Sequence, residues 1–305
     1  MATFLEGPKM EQARAVCNGK ESGAPPARSR TSPGPATRAA RASLWAILAG
    51  VATWVGDIER SATPVFAQDE PPAIAVITVL ETSLLASDRT IGPALDAFLR
   101  GTPDGPDLGD VEAWLERERH RHTGARKPPL RLSVRPPIVV DELPRPPGDG
   151  KTSALHRLAD AVRLRHRFAE LRHQHGIDTV TLFLCVVAES DPASCGRALA
   201  LPEDGFAVIY TSLEPRVRDR AASVIAHELC HLLGASDKYD DNGRARFPDG
   251  YANPRRAPLF PQDHAEIMAL ARPRGRGESE VAMRLEDCIV GEATARELGW
   301  AKNAE

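Results

Sequence analysis

The stretch DTVTLFLCVVAE, residues 178–189, constrains the fold of this chain more than any other segment. Its apolar and β-branched residues occupy both alternating faces, so as a strand it must be covered on both sides. Such a strand belongs in the middle of a sheet, with other layers over it. AIAVITVLE (73–81), apolar and β-branched, reads as another buried strand, GFAVIYTSLE (205–214) also reads as a strand, and LRLSVRP (130–136) alternates as a strand does. Between them lie helical patterns. IGPALDAFLRG (91–101) and DVEAWLERERHRH (110–122) are set off by Gly101 and Gly109, and TSALHRLADAVRLRHRFAELRHQHG (152–176) is a long amphipathic helix ending at a glycine. PPIVVDELPRPPGDG (136–150) reads as a Pro-rich connection. Strands interleaved with helices predict an α/β layered domain, a twisted mixed sheet packed on helices, and no internal repeat is present.

The globular pattern starts near residue 73 and runs to about 303. In front of it, residues 1–41 form an Arg/Pro-rich leader whose composition cannot bury enough apolar surface to fold. Residues 42–56, ASLWAILAGVATWVG, carry no charge and follow Arg38 and Arg41. Fifteen residues of helix rise about 22 Å, short of the roughly 30 Å of a hydrocarbon core. The run therefore suits the apolar part of a signal peptide or a single membrane anchor, and the preceding positive charge would send the rest of the chain outward. The expectation is a domain exported or membrane-tethered outside the cytoplasm, with a cytoplasmic protein bearing an amphiphilic leader as the alternative. Residues 57–72 read as a linker.

A formal net charge of −3 gives no reason to expect nucleic acid as a partner. Five cysteines, Cys17, Cys185, Cys195, Cys230 and Cys288, form no CxxC pair, so a cysteine zinc cluster is not expected. Cys185 and Cys195 could bridge across a turn, but buried free thiols are the plainer reading.

RVRDRAASVIAHELCHLLG (216–234) reads as a helix entered past Pro215 and closed by Gly234. On it His227 and His231 are four residues apart, one turn along the same face, so both imidazoles can reach one metal ion. Glu228 is offset by about a hundred degrees, beside the ion rather than on it, where a carboxylate can take a proton from water. A catalytic metal of this kind needs a third protein ligand and an open position. Gly234 permits a sharp turn, and Asp237 follows three residues later, so a reversal there brings its carboxylate back. Glu266 and His264 are the alternatives for that third place. The competing plain reading is a core helix whose histidines only hydrogen-bond.

The run HELCHLLGASDKYD (227–240) resembles the metzincin-type zincins in the variant where Asp is the third ligand, as in snapalysin-like bacterial proteases, and the HExxHxxGxxDxYD run of immune-inhibitor-A-like peptidases. The segment from about 73 to 300 is also similar to a group of uncharacterised bacterial zinc-peptidase sequences, with the close match over about 200–300. The resemblance implies Zn2+ as cofactor, a protein or peptide substrate, and zinc-dependent peptide hydrolysis with Glu228 as general base. It also implies a Met-turn, for which AEIMA (265–269) offers Met268, otherwise an ordinary core methionine. Tyr239 is a candidate donor to the oxyanion, or else packs or supports Asp237, and the resemblance implies an edge strand for pairing with substrate, for which GFAVIYTS (205–212) is the candidate. The alternative is a zinc-binding, non-catalytic sensor or binding domain of the bacterial envelope. Neither reading gives the oligomeric state.

The remaining histidines, His120, His122, His156, His166, His173 and His175, read as solvated or packing residues, and Cys230 as buried packing. Asp240-Asp241-Asn242-Gly243 reads as a turn rather than a calcium loop, and RPRGRGE (272–278) as a flexible surface loop within a loop-rich stretch that precedes a terminal helix in 285–300.

Overall fold

The computed structural model describes residues 71–87, 91–100, 108–146, 154–187, 196–213, 215–240 and 242–300. The expected leader (1–41), the apolar segment (42–56), nearly all of the linker (57–72), Cys17 and Cys195 lie outside them. Among the described residues no helix is long and apolar enough to cross a membrane.

The architecture is mixed α/β. The apolar run at 73–81 becomes β1 (Ala73–Glu81), and 178–189 supplies β4 (Thr181–Val186), every residue of which is buried. With β2 (Arg131–Val134), β3 (Ile138–Val140), β5 (Ala198–Leu201) and β6 (Phe206–Thr211) they make one six-stranded sheet of order β2-β1-β4-β6-β5, with β3 continuing the β1 edge beyond β2. All pairings are parallel except that of β5 with β6, so the sheet is mixed.

Period-two alternation divides the core between the two faces of the sheet. On one face Ile74, Val76, Leu182, Leu184 and Ile209 pack against Val111 and Leu115 of α3 (Leu108–Thr123) and Val224, Ile225 and Leu229 of α5 (Pro215–Leu232). On the other Ile77, Phe183, Val208 and Tyr210 meet Leu164 and Phe168 of α4 (Ala154–Gln174). Phe168 and Phe183 lie 4.9 Å apart between ring centroids, tilted at 44°. Two short helices, α1 (Thr82–Ser87) and α2 (Ile91–Arg100), follow β1, and Ile91 and Leu95 close over Leu80 and Val186 at its end.

Beyond α5 a second sheet of four strands is built from β7 (Ala265–Glu266), β8 (Ala271–Gly275), β9 (Glu278–Val281) and β10 (Cys288–Ile289), in the order β10-β7-β8-β9. A last helix, α6 (Glu292–Glu297), follows. The α3 helix fastens this part to the main core. Trp114 Nε1 donates to the Cys288 carbonyl at 3.2 Å, and the buried Glu118 carboxylate accepts from Val290 N at 2.7 Å.

Several sequence expectations are corrected. The Pro-rich connection 136–150 contains β3, three residues long and invisible to a periodicity argument, whose partner is the far end of β1. β5 was not expected at all. It forms a hairpin with β6 through a single helical turn, Pro202–Asp204, and Gly205 at φ 70°. The strand at 205–212 is therefore interior, flanked by β4 and β5, and the edge of the sheet is β5. The supposed surface loop 272–278 is the β8–β9 hairpin. Ala271 and Pro273 face inward, while Arg272 and Arg274 alternate with them and pair with Glu280.

Candidate metal centre

Helix α5 is entered through Pro215, whose missing N–H costs nothing in the first turn. Its end is a Schellman turn: Gly234, at φ 102°, donates to the His231 carbonyl at 2.9 Å, and Ala235 N donates to the Cys230 carbonyl at 2.9 Å. That reversal satisfies two of the helix's terminal carbonyls and sends the chain back past the face that carries His227 and His231.

The two rings meet nearly perpendicular, at 87°, with centroids 4.6 Å apart. His227 is fully buried, and its Nδ1 lies 3.0 Å from the Ile267 carbonyl; His231 Nδ1 lies 2.8 Å from the Ala235 carbonyl. A carbonyl only accepts, so each Nδ1 carries a proton, and each Nε2 is left to face Asp237, with a lone pair to offer whenever the ring is neutral. Those two Nε2 atoms face one another at 3.0 Å, and Asp237 Oδ1 stands 3.3 Å from the first and 3.2 Å from the second.

Three electron-rich atoms at this separation repel unless a positive charge lies among them. Ligand atoms bound at about 2.0–2.1 Å to a tetrahedral ion lie about 3.3 Å from one another, close to what is observed. The group His227, His231 and Asp237 could therefore hold a metal ion. Each imidazole is also oriented through its second nitrogen by a backbone carbonyl, as metal-ligating histidines usually are.

The titration of these groups tells the same story. Burial opposes a charge on His227, but the hydrogen bond to Asp237 and the charges of Glu228 and Asp237 outweigh it and raise its pKa to about 9. Burial likewise works against an ionised Asp237, yet its bonds to both histidines hold the carboxyl well below the usual carboxylate range. Both shifts come from the histidines and Asp237 stabilising one another's charged forms across the shared point.

Glu228 lies beside this point and outside the ligand set. Its Oε1 is 4.0 Å from His227 Nε2, the residue is 2% exposed, and its buried Oε2 has no hydrogen-bond partner among the described residues. Burial raises its pKa, against the pull of His227 and His231. The Tyr239 ring lies nearly parallel to that of His227, with 6.4 Å between centroids, and its buried hydroxyl makes no hydrogen bond of regular geometry. Burial, followed by the charge of Asp237, pushes that phenol far above its ordinary range, so it remains a proton donor.

The residues from 267 to 270 form the turn between β7 and β8, with Leu270 at φ 49°. This turn supports the centre through its backbone. The Ile267 carbonyl orients His227, and the Met268 carbonyl accepts from Lys238 N at 2.9 Å, next to Asp237. The Met268 side chain is fully buried in the core.

The alternative ligands are not brought to the site. Glu266 is buried with both oxygens engaged, Oε1 by Gly291 N (3.1 Å) and Thr294 Oγ1 (2.6 Å), and Oε2 by Met268 N (2.6 Å). His264 is exposed and outside the cluster. Cys230 is fully buried, its thiol pushed far up by burial, and Cys185 and Cys288 are buried and free.

Sequence reasoning missed the supports of the Asp237 segment. Lys238 is 3% exposed and pairs with Glu297 of α6 at 2.6 Å, and Arg246 N donates to the Lys238 carbonyl at 2.7 Å. Nothing in a local pattern links positions so far apart in the chain. A concavity of about 460 Å³, lined by Arg145, Asp160, Arg163 and Arg167, lies against α4, on the other side of the sheet from the candidate metal centre. No protein-family model matches the chain, and no curated protein matches it.

Proposed function

We propose that this chain is a zinc-dependent endopeptidase whose active site is the centre on α5. The observation that carries the reading is a buried carboxylate, Glu228, with an unpartnered oxygen beside a point where two imidazole nitrogens and one carboxylate oxygen converge. A purely structural metal site closes its coordination with four protein ligands, whereas three protein ligands leave a position open for chemistry. Two nitrogens and one oxygen at near-tetrahedral separation favour zinc over the harder, oxygen-loving calcium and magnesium.

His227 Nε2, His231 Nε2 and Asp237 Oδ1 would hold the ion. Zinc there would supply Lewis acidity toward a water and toward the scissile carbonyl. Glu228 takes the proton from the attacking water at Oε2. Its raised pKa favours that uptake, and the proton then passes to the more basic leaving amine nitrogen. Tyr239 donates from its hydroxyl as negative charge develops on the carbonyl oxygen. An extended peptide would add to β5, which among the described residues has no neighbour on its outer side and packs near α5 through Ala198. The apolar run 42–56 after Arg38 and Arg41 supports placement of the domain outside the cytoplasm, either secreted or tethered.

The test is digestion of an unbiased peptide library by zinc-loaded protein, wild type beside Glu228→Gln. Cleavage by wild type alone supports the reading and yields the preferred sites. Stoichiometric zinc without cleavage by either protein replaces it with a binding domain.

A further inference from the structure

Asp237 is held in place from both sides. Ser236 precedes it and Lys238 follows it, and one carboxylate engages both. Glu297 Oε2 accepts from Ser236 N at 2.9 Å, and Oε1 accepts from Ser236 Oγ at 2.9 Å. Lys238 Nζ donates to Oε1 at 2.6 Å and Oε2 at 2.7 Å, and also to Ser236 O at 3.0 Å and Oγ at 2.7 Å. The ammonium is almost completely enclosed, with 3% of the Lys238 side chain exposed, while the Glu297 side chain retains 35%.

Such a cation cannot stay where it is without its anion, because an unpaired buried charge draws in water or moves to it. Lys238 is bonded covalently to Asp237, and consecutive Cα atoms are about 3.8 Å apart, so a shift of one displaces the other. The same helix reaches the centre by a second route. Thr294 of α6 donates to Glu266, which accepts from Met268 N, in the turn whose Ile267 carbonyl orients His227.

We propose that the Lys238–Glu297 pair is the positioning device for the third metal ligand. The C-terminal helix α6 acts through it to set where Asp237 Oδ1 stands relative to His227 and His231. Glu297 and Lys238 are positioning residues and touch neither metal nor substrate. The proposal rests on the metal-binding part of the reading above and not on its peptidase part.

The experiment uses the full chain and reads metal directly. Zinc affinity is measured by competition with a chromophoric chelator, and the ligand field by the visible absorption of the cobalt(II)-substituted protein. Glu297→Gln keeps size and an acceptor oxygen but removes the charge. Outer partners of metal ligands are typically worth 10–100-fold in affinity, so weakening of about tenfold or more is expected, with displaced cobalt bands. Glu118→Gln is the control. It removes another buried carboxylate, whose hydrogen bonds are to Val290 N and Arg121 rather than to Ser236, Asp237 or Lys238. That variant should lose melting temperature while keeping wild-type affinity and bands.

If Glu297→Gln keeps both affinity and bands, the pair is only a tether and the proposal is overturned. Should Glu297→Gln not fold, Lys238→Met removes the cation of the same pair, with a side chain of similar length, and is read in the same way. Displaced bands support the proposal, and unchanged bands overturn it. Wild type that binds neither zinc nor cobalt sinks the metal reading and this proposal together. Wild type that binds metal but cleaves no peptide sinks only the peptidase reading.

Discussion

Replacing Glu228 by Gln separates chemistry from metal binding at this centre. The carboxylate is enclosed, its Oε1 stands 4.0 Å from His227 Nε2, and its Oε2 has no partner to lose. The amide has the same shape but cannot accept a proton at neutral pH. A positioned general base contributes roughly 10²–10⁴ in rate, so kcat/KM should fall by that factor, about 2.7–5.4 kcal/mol at 1.36 kcal/mol per decade. The zinc content should stay at wild type because Glu228 is outside the ligand group. Stability should not fall either. Burial raises the Glu228 pKa, so in the folded chain the charged form is the disfavoured one, and the substitution removes a charge that the interior resists. The assay is kcat/KM on a peptide identified in the library digest, with zinc counted by mass spectrometry on the same samples. A loss below tenfold would refute Glu228 as the base. A large loss accompanied by loss of zinc would show that Glu228 acts on the metal and not on the proton.

Removing metal should destabilise the fold by mass action. Free zinc at a hundredfold its Kd contributes about 2.7 kcal/mol, so a strong chelator should lower the melting temperature by about 5–11 °C, and the drop should vanish in Asp237→Ala. Glu266 sets a pH dependence. Its pKa is raised to about 7, burial being the largest cause and the bonds from Thr294, Gly291 and Met268 pulling the other way. A carboxyl raised on folding favours the native state fully below its unfolded value near 4.5 and loses that contribution as pH rises through about 7. Relative to Glu266→Gln in chelator, wild type should therefore lose stability between those two pH values and run parallel above them; a flat difference would contradict the burial argument. Gly250 has no room for a side chain, since a Cβ there would overlap the Lys238 carbonyl and come within 2.7 Å of Arg246 N. Gly250→Ala should cost about 1–3 kcal/mol in urea denaturation, the usual range for overpacking, and weaken zinc as well by moving Lys238.

Local periodicity made part of this molecule legible. The strand at 73–81, the helices at 110–122 and 216–234 and the interior strand at 178–189 all follow from apolar spacing, because each is buried along a face that repeats every 2 or 3.6 residues. The convergence of His227 and His231 is legible for the same reason, a four-residue spacing on one helix. Asp237 could be anticipated because Gly234 takes a positive φ that returns the chain immediately. Contacts made across long separations left no such signal. Glu297 meets Lys238 only because α6 docks there, and its spacing within EATARE follows helix geometry and says nothing of its partner.

The edge strand was misjudged for a different reason. Family resemblance puts the segment 205–212 at the rim, whereas its pairing with β4 and β5 puts it inside the sheet. Phe206, Val208 and Tyr210 are buried on one face and Ala207 and Ile209 on the other, the pattern of a strand with layers on both sides. ALAL at 198–201 is largely buried as well, but its four residues are too few for a periodicity argument, and so the strand at the margin of the sheet among the described residues escapes notice. An apolar run thus marks how many layers cover a strand. Its place in the order of the sheet is set by the connections, here a hairpin closed by Pro202–Asp204 and Gly205, which puts β5 outside β6.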